Sequence, residues 1–324
     1  GYNSTAVWDT AFAAQALLAS PAAGAHDAIL RRAHDYIRDN QVVDELPDRA
    51  RHHRHPCRGG WPFSSRRHGW PITDCTAEGL KSALALEGRV ERPVPEPLLR
   101  AAVELLLGFQ NPGGGWSTYE LQRAGGWLEA LNPSLVFADI MVDYPHVECT
   151  SACIQALAAA RARLPGAYER RIERAIARGA RFIRAEQRGD GSWEGSWAVC
   201  FTYGGWFGSW GLRAAGAPPE DPAIQRAAAF LERHQLPDGG FGEHHESCVQ
   251  RRYISLPAGH VVNTAWALMT LYAAGRATSR AAHRAARFLL DSQQPDGDWP
   301  RQQMIGVFNR TSLINYANYR RYFP

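Results

Sequence analysis

"QNPGGGW" at Gln110 to Trp116, "QRGDGSW" at Gln187 to Trp193, "QLPDGGF" at Gln235 to Phe241 and "QQPDGDW" at Gln293 to Trp299 are four copies of one repeat. Each has Gly at the fourth position after Gln and an aromatic at the sixth. A looser fifth copy ends at Gly60 and Trp61, with Gln41 as its start across an insertion. The aromatics recur at roughly 50- to 80-residue intervals, long enough for one helix pair each. Between the copies lie Ala- and Leu-rich segments with apolar residues three and four apart: Trp8 to Leu18, Ala77 to Leu86, Leu98 to Phe109, Ser151 to Ala160, Ile172 to Glu186, Ile224 to His234, Ala265 to Ala274 and Ala281 to Leu290. This spacing predicts helices. Strand signals are scarce, and the Pro-Asp-Gly and Gly-Gly turns sit where each helix would stop.

One helix pair cannot bury both its faces, so the pairs must stack. The expectation is an all-α fold, an α/α barrel (toroid) of stacked helix pairs, forming a single domain over residues 1–324. The repeat has a structural use of its own. Its Gln can bond free backbone groups at a neighbouring helix end while the aromatic packs across that end.

A chain of 324 residues with 45% apolar content can fill a large core. Its 36 basic residues, nearly all Arg, face 32 acidic ones, and a net charge of +4 is too small and dispersed to indicate nucleic acid. The densest basic stretch, Arg49 to Arg58 with His52, His53 and His55, reads as a solvated loop. Six cysteines form no CxxC pair, which fits free thiols in a reducing compartment. No apolar run reaches the roughly 18 residues of a spanning helix, which leaves attachment to a membrane surface as the membrane role open to the chain. No carboxylate cluster of the kind that binds magnesium and diphosphate is present. Neither a metal nor a cofactor is expected.

The chemistry concentrates at "GWPITDCTAEGLK", Gly69 to Lys81. Taken alone, Asp74 is a helix N-cap that accepts backbone N–H bonds, with Glu78 one residue beyond the capping-box position. Cys75 adjoins it, and a second thiol, Cys149, lies in "VECTSA" at another helix start. One turn further on, Cys153 reads as core packing. Glu78 and Glu148 read as residues that cap or orient helices.

"DCTAE" at Asp74 to Glu78 resembles the catalytic motif of oxidosqualene cyclases. So do, in order along the chain, "WDTAFAAQALL", "LNPSLVFADIMVDY", "VECTSA", "DGSWEGSWAVCFTYGGWFG", "NTAWALM" and "GDWP" followed by "GVFN". The resemblance covers essentially the whole chain. It implies a triterpene or sterol cyclase acting on 2,3-oxidosqualene, with Asp74 as the Brønsted acid and Cys75 and Cys149 as hydrogen-bond donors to it. Such an acid must hold its proton in an apolar cavity yet release it to an epoxide. The resemblance also implies a cation-stabilising wall of Trp8, Phe63, Tyr119, Phe137, Trp197 and Phe308, with Tyr316 near the same cavity. Squalene–hopene cyclases carry DxDD where this chain reads "ITDC", so an epoxide is the expected substrate. Tyr2, His68 and Ile72 match positions that influence product and resemble cycloartenol synthases, with lanosterol synthase or squalene–hopene cyclase-like activity as alternatives.

Members of that family are about twice as long. The expectation is therefore a carboxyl-terminal half with an open apolar flank, covered by a separate polypeptide equivalent to the remaining half and meeting a membrane surface through it. A bacterial, cytoplasmic-side protein with peripheral or monotopic membrane association follows. Two other readings are an inactive toroid serving as a lipid-binding or assembly module, and a prenyltransferase-like subunit. The latter needs a zinc site, for which His244, His245 and Cys248 are the nearest set.

Overall fold

The computed structural model describes residues 4–164, 166 and 168–324. The helices are α1 (Ala6–Ala19), α2 (Asp27–Asp39), α3 (Thr73–Leu86), α4 (Glu96–Gly108), α5 (Val147–Arg163), α6 (Glu169–Ala185), α7 (Phe201–Ala214), α8 (Pro222–Arg233), the short α9 (Glu246–Gln250), α10 (Val261–Ala273), α11 (Arg280–Ser292) and the short α12 (Tyr319–Tyr322). The chain divides into two compact units. The first holds residues 1–122, 143–145 and 152–179, and the second holds 123–142, 146–151 and 180–324.

In the first unit α1, α2 and α3 pack against one another and α4 packs on α3. In the second, α7 and α10 form the central pair, with α8 against both and α11 against α10. A short antiparallel hairpin joins Gly306–Phe308 to Ser312–Ile314. Helix starts follow local chemistry. Asp221 accepts the Ala223 N–H ahead of Pro222 at the start of α8, and Ser279 accepts from Ala282 at α11.

The repeat behaves as a tie between helix pairs. Its Gln amide donates twice: Gln41 to the carbonyls of Gly59 and Leu98, Gln110 to Gly114 and Ala175, Gln187 to Gly191 and Ala223, and Gln235 to Gly239 and Ala281. The acceptors in the next helix are carbonyls, three of them in its first turn. A carbonyl has two lone pairs and can take this bond beside its helical one. The tryptophans of the repeat donate their indole N–H to the preceding helix: Trp61 to Ile37, Trp116 to Leu106, Trp193 to Ile183 and Trp299 to Leu289, at 2.6 to 3.0 Å.

Two of the longer helices escaped the periodicity. In α2 only Leu30, His34 and Ile37 are buried, so its apolar stripe is one side chain wide. In α7, "FTYGGWFGSWGLRA" contains four glycines that argue against a helix. The packing explains one of them directly: a Cβ at Gly208 would lie 2.6 Å from the Trp193 indole.

The expectation of membrane association is corrected by the helices themselves. Among the described residues no helix is long and apolar enough to cross a membrane. α5 and α6 reach only 17 residues each, and α6 carries charge along its exposed face. Large apolar side chains in solvent do gather within residues 123–142, where Trp127 is 70% exposed and Leu131, Leu135 and Val136 are exposed as well.

Candidate active site

α3 begins at Thr73, with Ile72 extended in the cap position and no side-chain cap bond. Asp74 is therefore inside the first turn and is not the N-cap. Its Oδ1 accepts the Cys75 N–H at 2.8 Å, and the side chain is buried. The neighbouring thiols are the chemically informative groups. Burial drives the Cys75 thiol well above its ordinary pKa, and the adjacent Asp74 charge, a hydrogen bond to Asp74 and the Glu78 charge raise it further. Cys153, in the part of α5 that belongs to the first unit, behaves alike: burial acts first, then the charges of Asp74 and Glu78, partly offset by Lys81. Both sulfurs stay protonated, as donors must. Cys153, which the sequence placed in the packing, is fully buried there and also lies within the field of the Asp74 and Glu78 charges. Nothing in its spacing distinguished it from an ordinary buried thiol.

Glu78 is tied to Lys81 Nζ at 2.9 Å and to Gln15 Nε2 at 2.8 Å, and Lys81 in turn donates to Gln155 Oε1 at 2.9 Å. This chain of polar contacts joins α1, α3 and the first-unit part of α5, and gives Glu78 the orienting role expected of it. Trp8 and Phe63 meet with ring centroids 6.0 Å apart, and Phe12 joins Trp8 at 4.7 Å. Tyr119 lies edge-on to Trp70 at 5.5 Å. Asp143 holds that segment by accepting the N–H groups of Thr118, Tyr119 and Glu120 at 3.0, 2.7 and 3.1 Å. His68 is half-buried in a short 3-10 turn, while Ile72 is buried and donates its N–H to the Trp61 carbonyl at 2.9 Å. Tyr2 lies outside the described residues.

The second unit gathers its own aromatic cluster. Phe308, on the hairpin, meets Phe137 and Trp197, both at 5.3 Å. Val307 N–H donates to the Trp197 carbonyl at 3.0 Å, which registers the hairpin against that ring. Tyr316 stacks on Tyr319 at 4.5 Å. Cys149 is fully buried at the start of α5. Beside it Glu148 accepts the N–H groups of Ser196 and Trp197 at 2.7 and 3.0 Å, while its Oε2 is buried with no hydrogen-bond partner. Burial raises the Glu148 pKa to about 7 against the pull of those N–H groups. Glu148 therefore fixes Trp197, a function legible only once Ser196 and Trp197 are known to fold back over it. Glu243 does the same for α7, accepting from Cys200, Phe201 and Thr202.

None of the six cysteines is in a disulfide, and all are buried. His244 and His245 have ring centroids 4.2 Å apart with their planes tilted by 32°, and Cys248 lies against Cys200. Among the described residues no three His, Cys, Asp or Glu side chains are placed to share a metal ion.

The squalene-hopene cyclase C-terminal domain family matches residues 4–324. Lanosterol synthase from Homo sapiens is 44% identical over 335 residues, covering 100% of this chain and 46% of that protein. Cycloartenol synthase from Dictyostelium discoideum is 46% identical over 329 residues, again covering 100% of this chain and 46% of the relative. The chain thus spans just under half the length of these relatives. The solved type II terpene cyclase MstE from Scytonema, in its apo form, matches with a TM-score of 0.63 at 21% identity, covering 92% of this chain and 73% of that one. That likeness concerns the fold, an all-α arrangement of stacked helix pairs. The family match over residues 4–324, with the identities to both synthases, makes this chain a member of the oxidosqualene cyclase and squalene–hopene cyclase C-terminal domain family.

Proposed function

We propose that this chain carries the acid of an oxidosqualene cyclase, Asp74, and part of the wall that guides the resulting cation. The observation that supports it most is a buried carboxyl among thiols whose burial keeps them protonated. In the reaction, the Asp74 proton passes to the epoxide oxygen of 2,3-oxidosqualene, the C–O bond breaks, and the nearest alkene supplies the electron pair that closes the first ring. The carboxylate left behind gains a hydrogen bond from Cys75, which lowers the cost of the transfer. The family resemblance assigns the role of second donor to Cys149, which is fully buried at the start of α5. Trp8, Phe63 and Tyr119 in one unit, and Phe137, Trp197, Phe308 and Tyr316 in the other, offer ring faces that stabilise positive charge without attacking it.

The product is a sterol-type polycycle. Cycloartenol is favoured by Ile72, whose branched side chain narrows the space for late ring shifts, and by the polar His68. Lanosterol stands level with it on overall similarity, since synthases of both kinds match the full chain at 46% and 44% identity. A second reading, a helical domain that binds apolar polyenes without turnover, is favoured by the exposed apolar side chains of Trp127, Leu131, Leu135 and Val136.

The test supplies 2,3-oxidosqualene to the chain, alone and mixed with the remaining half of a similar cyclase, and separates products by gas chromatography. Turnover that vanishes in Asp74→Asn supports the proposal, since Asn keeps size and hydrogen bonding but cannot donate a carboxyl proton. Turnover retained in that variant removes Asp74 from the acid role. Substrate bound by both proteins and converted by neither establishes the second reading.

A further inference from the structure

The basic loop at residues 49–58 reads from sequence as a solvated, multiply charged surface. Half of it is, with Arg51, His52 and His53 exposed. Arg54 and His55 are not. The Arg54 guanidinium lies 3.6 Å above the centroid of the Trp70 ring, and its Nε donates to Glu120 Oε1 at 2.7 Å. His55 grips the same carboxylate twice, through its backbone N–H to Oε1 at 3.1 Å and through Nδ1 to Oε2 at 3.0 Å, while its ring meets Phe109 edge-on at 5.7 Å. Burial would raise the Glu120 pKa, but Arg54, the His55 side chain and the His55 N–H outweigh it and hold the carboxyl below its ordinary value.

Both groups that Arg54 touches lead to the candidate site within the same unit. Trp70 packs on Tyr119, and Glu120 is the chain neighbour of Tyr119. Thr118, one residue before, accepts the N–H of Thr73 at 2.7 Å, and Thr73 opens the helix whose next residue is Asp74. Three covalently adjacent residues, Thr118 to Glu120, are thus fixed at three points: by Asp143 on their N–H groups, by Thr73 on one carbonyl, and by Arg54 and His55 on one side chain.

We propose that Arg54 is a positioning residue for the cyclisation, clamping Trp70 and Glu120 so that the Tyr119 ring and the first turn of α3 keep their register. This rests on the function proposed above for Asp74 and Tyr119. The guanidinium lies over the Trp70 ring while its Nε bonds Glu120, so one planar group makes both contacts at once, which the single ammonium of a Lys does not reproduce. A clamp of this kind acts on the reacting geometry, where displacements of about an ångström cost up to roughly 100-fold in rate. It leaves ground-state binding of an apolar polyene nearly untouched.

The experiment compares Arg54→Ala, Arg54→Lys, Glu120→Gln and, as a control on an exposed residue of the same loop, Arg51→Ala. Hydrogen exchange of the full chain, read by mass spectrometry, needs no turnover. The expected result is faster exchange in peptides covering 70–76 and 116–121 for Arg54→Ala, a smaller change for Arg54→Lys, and none for Arg51→Ala. Kinetics on 2,3-oxidosqualene should show kcat down roughly 10-fold or more for Arg54→Ala with KM within about two-fold, and partial recovery in Arg54→Lys. Unchanged exchange at both peptides overturns the clamp, as does a raised KM with unchanged kcat. If Arg54→Ala loosens exchange everywhere, the same two peptides are read in Glu120→Gln, which weakens the same pair without opening a cavity: faster exchange there supports the clamp and unchanged exchange overturns it. An unmutated chain without turnover both alone and mixed with the remaining half of a similar cyclase, yet with the local exchange response, refutes the cyclase reading and leaves the local clamp standing.

Discussion

Replacing Gly79 with Ala adds one methyl group inside α3, and two opposing effects decide its sign. In an open helix interior the change gains about 1 kcal/mol, because glycine has more backbone freedom to lose on folding. At this position the new Cβ would lie 2.7 Å from Cδ2 and 2.8 Å from Cγ of Trp61. That indole is fully buried, and its N–H is bonded to the Ile37 carbonyl at 2.7 Å. It cannot retreat without stretching the bond that ties the repeat to α2. Overpacking costs about 1–3 kcal/mol and loosening the bond about 1 more, so the net expectation is a loss of about 1–3 kcal/mol. Gly108, the last residue of α4, has nothing within 4 Å of its Cβ position, and the same substitution there should be neutral or stabilise by up to about 1 kcal/mol. Urea unfolding followed by far-UV circular dichroism measures both. A Gly79→Ala midpoint at or above that of the unsubstituted chain would refute the reasoning. So would an equal loss in Gly108→Ala, which would mean that neither result reports on Trp61.

Cys75→Ser should keep measurable but reduced turnover, since a hydroxyl still donates to Asp74, whereas Cys75→Ala should lose about 10-fold or more; equal rates in the two variants would take the thiol out of the donor role. Cys153→Ser tests the same field from α5, and thiol counting on the native chain should return six free cysteines, with a bridge between Cys75 and Cys149 contradicting the donor assignment. The buried Glu148 has its folded pKa raised from 4.5 to about 7, so between those values the unfolded chain releases this proton while the folded chain keeps it. Its contribution is present below the unfolded value and is lost as pH rises toward the folded one. Glu148→Gln should flatten this fall in the unfolding free energy over that window, and an unchanged pH profile would show that the carboxyl is ionised in the folded state.

Much of the architecture was written locally. The Gln-to-aromatic spacing, the turns after each helix and the three-and-four periodicity are short-range patterns, and each refers to one helix end or one face. They determined the helix class, the stacking of pairs and the carboxylate with its neighbouring thiol at Asp74 and Cys75. What the tertiary structure alone decided depends on groups far apart in sequence. The glycines of α7 look like helix breakers until the Trp193 ring is seen lying on Gly208. α2 shows no periodic signal because one buried face of Leu30, His34 and Ile37 is too narrow to register. Asp143, Glu148 and Glu243 are ordinary acids in the sequence, and become capping carboxylates only when loops 24, 48 and 42 residues away along the chain present their N–H groups to them. The basic loop shows the same limit. Charge density marks Arg54 as solvated, and only the 3.6 Å approach to Trp70 and the bond to Glu120 turn it inward. Periodicity reports which way a side chain faces, while the partner it meets is set by chain folding over tens of residues, and that is the information a single sequence read by pattern does not carry.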